Sequence, residues 1–175
     1  MRRVILIGFM GSGKTTLGKE IASRMGIPFI DSDQEIEAHF QKSIGDIFTE
    51  NGESFFRTLE TEYIQALDLR DDFVLATGGG MPCFDRNMEL LNEIGTTFYL
   101  NRSAKELARR LYHAKSRRPL IEGLDEAELL PFIEDRLNRR EEYYRKSTVI
   151  LTREEQNPES IQRFAELLLY PLQRS

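Results

Sequence analysis

Val4-Ile5-Leu6-Ile7-Gly8-Phe9-Met10-Gly11-Ser12-Gly13-Lys14-Thr15 is the stretch that decides the fold. Its first four residues form a continuous apolar run. Such a run suits a strand buried on both faces, as in a parallel sheet. Gly8 to Thr15 then fits G-x-x-x-x-G-K-[ST] without a gap. Leu17, Ile21 and Met25 follow at i, i+4 and i+8, so a helix opens at Lys14 and Gly26 stops it. A strand, a glycine-rich turn and a helix are the setting in which this motif cradles phosphate. The glycines let the backbone curl until successive N–H groups point inward, and the helix N-terminus adds partial positive charge. Lys14 then reaches the β- and γ-phosphates, and the Thr15 hydroxyl ligates Mg²⁺. Gly11, Ser12, Gly13, Lys14, Thr15 and Thr16 are the candidate nucleotide contacts.

Outward from this core, strands alternate with helices. Ile27-Pro28-Phe29-Ile30 reads as a second strand ending at Asp31, and Ser32 with Glu35 as a capping box opening a helix. Asn51-Gly52 breaks the chain, after which Phe55, Leu59, Tyr63 and Ala66 mark one helix face through about Leu69. Phe73 to Ala76 is a third strand, closed by Thr77-Gly78-Gly79-Gly80, and Thr97 to Leu100 a fourth. Ser103 with Glu106 caps a helix running to about Tyr112. Residues 113–125 read as an exposed basic loop, followed by a helix over about Glu126 to Arg145. A fifth strand spans Thr148 to Leu151, and Asn157-Pro158 opens the last helix. The pattern implies a parallel sheet with helices on both faces. Ligands bind such sheets at the carboxyl ends of the strands, where Gly8, Asp31 and Gly78 fall.

The chain has 175 residues, 40% hydrophobic and 30% charged, as expected for one globular domain over residues 1–175. A net charge of −5 gives no support for nucleic-acid or anionic-membrane partners. The single cysteine, Cys83, makes no internal disulfide and suits a cytoplasmic setting. The apolar run near the start is too short for a signal-peptide core or a membrane span. His39 and His113 lie at no metal-ligand spacing.

The phosphate-binding loop alone leaves switch GTPases, motor ATPases and small-molecule kinases open. Asn101-Arg102-Ser103-Ala104 after the fourth strand does not fit the Asn-Lys-x-Asp guanine reader, and the chain is short for a motor. A compact kinase needs a metal site, an acceptor pocket and a lid that excludes water. Further motifs resemble the shikimate kinase family, in its order: Asp31-Ser32-Asp33, Gly52-Glu53-Ser54-Phe55-Phe56-Arg57, Thr77-Gly78-Gly79-Gly80, Arg117-Arg118-Pro119-Leu120 and Arg140-Glu141-Glu142-Tyr143-Tyr144-Arg145. With the P-loop they cover residues 8 to 145.

The resemblance implies transfer of the ATP γ-phosphate to the 3-hydroxyl of shikimate, with Mg²⁺, by a monomeric enzyme. It implies a P-loop NTPase three-layer α/β sandwich with strand order 2-3-1-4-5, a substrate-binding helical segment near 33–61 and a lid near 112–124. A carboxylate substrate calls for guanidinium forks. Arg57 lies off its helix's apolar stripe and can face a cleft, or it pairs with Glu53 at i, i+4 on a wet surface. By resemblance Arg57 and Arg140 form the carboxylate clamp, and Gly79 and Gly80 contact the substrate. Asp31 would hold Mg²⁺ through water. Asp33 would accept from the substrate hydroxyls, orienting them or acting as base. The third strand ends without an aspartate, which strengthens the case for Asp31 at the metal. Arg118 would close over the phosphates and Arg110 flank adenine. A nucleoside-monophosphate or other small-molecule kinase, and a non-catalytic nucleotide-binding regulator, are the alternatives.

Overall fold

The computed structural model describes residues 2–67, 71–113, 121 and 124–169. Five parallel strands form one sheet: β1 (Arg3–Ile7), β2 (Phe29–Asp31), β3 (Phe73–Ala76), β4 (Thr96–Leu100) and β5 (Val149–Leu151). Their order is β2-β3-β1-β4-β5, as expected. β1 lies in the middle, and Val4, Ile5, Leu6 and Ile7 are wholly buried. That burial explains why β1 carries no polar alternation.

Among the described residues seven α-helices pack around the sheet: α1 (Lys14–Met25), α2 (Ser32–Phe40), α3 (Ile44–Ala66), α4 (Asn87–Ile94), α5 (Ala104–Tyr112), α6 (Glu126–Tyr144) and α7 (Pro158–Leu169). Successive strand residues feed opposite faces. Val4, Leu6, Val74 and Phe98 pack with Ile21, Met25, Ile161 and Ala165 of α1 and α7. Ile5, Ile7, Leu75 and Tyr99 pack with Ile64, Leu107, Ile133, Leu137 and Tyr144 of α3, α5 and α6. A separate cluster of Ile36, Ile47 and Phe56 holds α2 against α3 and makes the expected helical segment beside the sheet.

Several local expectations change. Asp31, not Ser32, caps α2, accepting from the Asp33 N–H at 3.2 Å. Ser32 is buried instead, and its hydroxyl accepts from the Gly78 N–H at 2.9 Å. The break expected at Asn51-Gly52 is present: Gly52 (φ 83°, ψ 168°) is non-helical, and α3 is two helical segments joined across a kink there. The helix face is rotated from the expected one: Phe56, Glu60 and Ile64 are buried, while Phe55 is 39% exposed. Only half of the Ser103 capping box forms, because Glu106 pairs with Arg102. α4 and a short 3₁₀ turn, Met81–Cys83, had no sequence signal strong enough to read: α4 has eight residues, and no side chain caps it. Among the described residues no helix is long and apolar enough to cross a membrane.

The register sets the site. Asp31 pairs with Ala76 and Leu6 with Ala76, so Asp31, Thr77 and the start of the P-loop share one edge. α1 lies close over that sheet at Gly18, where an added Cβ would fall 2.5 Å from the Phe29 ring and 3.2 Å from Leu6 Cδ1. Replacing a helical glycine by alanine ordinarily gains about 1 kcal/mol. Overpacking costs about 1–3 kcal/mol. Gly18→Ala is therefore expected to lower the melting temperature in a circular-dichroism melt. A raised melting temperature would mean that α1 and β2 are not packed this closely.

Candidate active site

The P-loop runs from the end of β1 to the start of α1. Gly11 (φ 78°) and Gly13 (φ 104°) hold left-handed backbone that only glycine adopts readily. Lys14 is buried inside the curl, where its ammonium donates to the carbonyls of Gly8 (2.8 Å) and Phe9 (3.1 Å). Two guanidiniums brace the outside of the loop. Arg110 Nε donates to Gly11 O and Arg102 Nε to Ser12 O, each at 2.8 Å. Burial and then the nearby Arg102 charge hold the Arg110 pKa below its usual value. Arg102 escaped the sequence reading, since an arginine two residues past a strand carries no motif. Ser12 is buried and Thr16 exposed at the first turn of α1.

Thr15 and Asp31 meet. The Thr15 hydroxyl donates to Asp31 Oδ2 at 2.8 Å, while Asp31 Oδ1 caps α2. These are two hard oxygens at the mouth of the loop. Mg²⁺ binds through one or two such groups and completes its shell with phosphate and water. No group of three or more His, Cys, Asp or Glu able to hold a metal exists among the described residues. Asp33, two residues on, faces the same space. Burial, then the Asp31 charge, pushes its carboxyl up to about 6 against the pull of Lys14.

The glycines after β3 make the floor beneath these groups. A Cβ on Gly78 would sit 2.4 Å from Asp33 Oδ1 and 3.0 Å from Glu60 Oε1. On Gly79 it would sit 3.6 Å from Arg140 Nη1, and on Gly80 2.4 Å from Arg57 Nη1. Two acids and two guanidiniums thus converge where side chains are missing. Arg57 is 13% exposed and bonds both Glu60 (2.7 Å) and Glu53 (2.9 Å). Its expected pairing with Glu53 exists, between a largely buried guanidinium and a solvent-exposed carboxylate. Glu60 is 1% exposed, and burial lifts its carboxyl to about 7 with Arg57 opposing. Arg140 reaches the same place from α6 and lies 5.5 Å from the centre of the Phe9 ring.

Lys14, Thr15, Asp31, Asp33, Arg57, Gly79, Gly80, Arg110 and Arg140 therefore gather around the P-loop and the Gly78–Gly80 loop at the carboxyl edge of the sheet. Arg117 and Arg118 lie outside the described residues, as does most of the expected lid. Glu60 was not foreseen. It occupies the buried face of α3 three residues after Arg57, and only an acid among apolar positions 56 and 64 marked it. His39 and His113 are exposed.

The arrangement offers a phosphate cradle, an oxygen pair for a divalent cation, an orienting carboxylate and two guanidiniums for an anionic acceptor. Comparison with known proteins points the same way. The sequence profile of shikimate kinase matches residues 10–169. A shikimate kinase from Bacteroides thetaiotaomicron is 43% identical over 173 residues, 96% of this chain and 99% of that one. A crystal structure of shikimate kinase from the same organism superposes with a TM-score of 0.85 at 41% identity, covering 95% of this chain and 98% of that one. Shikimate kinase from Acinetobacter baumannii, solved in complex with shikimate, gives 0.79 at 33% identity over 98% and 93%. With the profile spanning nearly the whole chain and a relative 43% identical over almost its full length, the chain belongs to the shikimate kinase family.

Proposed function

We propose that this protein transfers the γ-phosphoryl group of ATP to the 3-hydroxyl of shikimate, giving shikimate 3-phosphate and ADP. The observation that carries this reading is the convergence of Arg57, Arg140 and Asp33 on the Gly78–Gly80 floor beside the P-loop. A ring with one carboxylate and three hydroxyls needs such a set: guanidiniums for the anion and a carboxylate for the hydroxyls.

The acceptor carboxylate lies between Arg57 and Arg140, with N–H groups of Gly79 and Gly80 beneath it. Asp33 accepts from the hydroxyl that attacks. Its carboxyl, lifted to about 6, is ionised at neutral pH and more basic than usual. With a loose transition state, orientation is its main task and proton removal follows late. The N–H groups of Gly11, Ser12 and Gly13 hold the phosphates, with Thr15 and Thr16 at the helix start. Lys14 exchanges its two loop carbonyls for phosphate oxygens. Arg118 closes over the transferring group, and Arg110 flanks adenine. Thr15 and Asp31 suit Mg²⁺, which when bound neutralises charge on the phosphates. The whole chain acts as one kinase domain, monomeric and cytoplasmic, with no nucleic-acid or membrane partner.

An ADP-release assay across acceptors tests the reading. Shikimate should drive turnover, and nucleoside monophosphates and other small hydroxy acids should not. Turnover on a nucleoside monophosphate would select a related kinase. Nucleotide binding without any acceptor-dependent turnover would select a regulator.

The two aspartates should fail differently. Asp33→Asn is expected to lower kcat by about a hundredfold, because near-attack geometry is lost, with nucleotide affinity little changed. Asp31→Asn should instead raise the Mg²⁺ concentration needed for half-maximal rate. A Mg²⁺ titration of initial rate at saturating shikimate separates them. A large metal shift in Asp33→Asn alone would reverse the two roles.

A further inference from the structure

Tyr144 lies fully buried on α6, four residues after Arg140 and so on the same helix face. Its hydroxyl donates to the Gly79 carbonyl at 2.5 Å. Burial drives the phenol pKa far above its usual value, so the group remains a donor at any working pH. Arg140, which the acceptor chemistry above uses, also interacts with this hydroxyl.

The backbone groups of the glycine floor can be followed one by one. The Gly78 N–H is held by Ser32 Oγ. The Gly78 and Gly80 carbonyls accept from Met81 (3.2 Å) and Cys83 (2.9 Å). The Gly79 carbonyl accepts from Tyr144. Among the described residues the N–H groups of Gly79 and Gly80 have no protein acceptor. Three glycines in a row leave a peptide plane almost free to rotate. One hydrogen bond can therefore decide which way it faces. In a trans peptide the C=O and the next N–H point in opposite directions. With the Gly79 carbonyl held on Tyr144, the Gly80 N–H points away from the core. A Cβ on Gly80 would meet the Arg57 guanidinium at 2.4 Å, so Arg57 lies against the residue whose N–H is freed in this way.

We propose that Tyr144 is a positioning residue: by holding the Gly79 carbonyl it fixes the Gly79–Gly80 peptide and aims the Gly80 N–H at the acceptor carboxylate. This rests on the reading that the acceptor is shikimate. Arg140 and Tyr144 then act as a pair from one helix, one reaching the anion directly and the other through the peptide beneath it.

Tyr99 supplies an internal control. Its ring centroid lies 5.2 Å from that of Tyr144, and its hydroxyl is equally buried but has no hydrogen-bond partner among the described residues. Calorimetric titrations of shikimate and of ADP into the wild type, Tyr144→Phe and Tyr99→Phe, with melting curves, test the proposal. Tyr144→Phe should bind shikimate about tenfold more weakly and ADP within about twofold of the wild type, the loss of one neutral hydrogen bond at one subsite. Tyr99→Phe should bind both ligands as the wild type does. An unchanged shikimate affinity in Tyr144→Phe, or an equal loss in Tyr99→Phe, would overturn the proposal. So would a proportional loss of ADP affinity, or a Tyr144→Phe chain that no longer melts cooperatively, since the hydroxyl would then hold the fold. A wild type that binds ADP but not shikimate would refute the acceptor reading itself, a different result from any of these.

Discussion

Steric emptiness at Gly78, Gly79 and Gly80 is the constraint on which the cleft depends. β3 ends there at the same level as β1, and the P-loop begins one strand away. Any Cβ on Gly78 or Gly80 would occupy space held by Asp33 or Arg57, at 2.4 Å in both cases. The loop is nevertheless not loose. Ser32 holds the Gly78 N–H, and Tyr144, Met81 and Cys83 hold the three glycine carbonyls. An open floor with a fixed backbone lets acids and guanidiniums gather within reach of a small substrate.

Charge explains why that gathering is tolerable. Asp31, Asp33 and Glu60 lie among the cations Lys14, Arg57 and Arg140. Burying a carboxylate unpaired is expensive, and Glu60 at 1% exposure is held by Arg57 at 2.7 Å. Breaking that pair would strand a buried charge, so Glu60 and Arg57 are best regarded as one unit. Lys14 follows the same logic. Its ammonium rests on two carbonyls of its own loop, near the phosphate position, and a triphosphate replaces neutral acceptors by charged ones.

The P-loop and most elements were legible in the sequence because their signals are local and contiguous, whereas the sheet order came from the family resemblance. The run Val4–Ile7 is buried on both faces, and no packing detail is needed to read it. Asp31, Asp33, Arg57 and Arg140 were placed by motif, and the structure brings them to one edge. What stayed hidden depended on tertiary choice. Glu60 looked like one more acid in a charged helix until the face of α3 was seen to turn on Phe56 rather than Phe55. Ser32 matched a capping pattern, yet its hydroxyl serves the Gly78 N–H and Asp31 takes the cap. α4 is short and uncapped, so neither periodicity nor a start signal could announce it.

The steady-state kinetics of Gly80→Ala test the central claim most directly. The added methyl meets the Arg57 guanidinium, which must then leave its place beside Glu60. If the empty floor builds the acceptor pocket, the KM for shikimate rises by about tenfold or more while the KM for ATP remains near that of the wild type. A shikimate KM equal to the wild-type value would contradict the claim and place the acceptor away from the glycine floor.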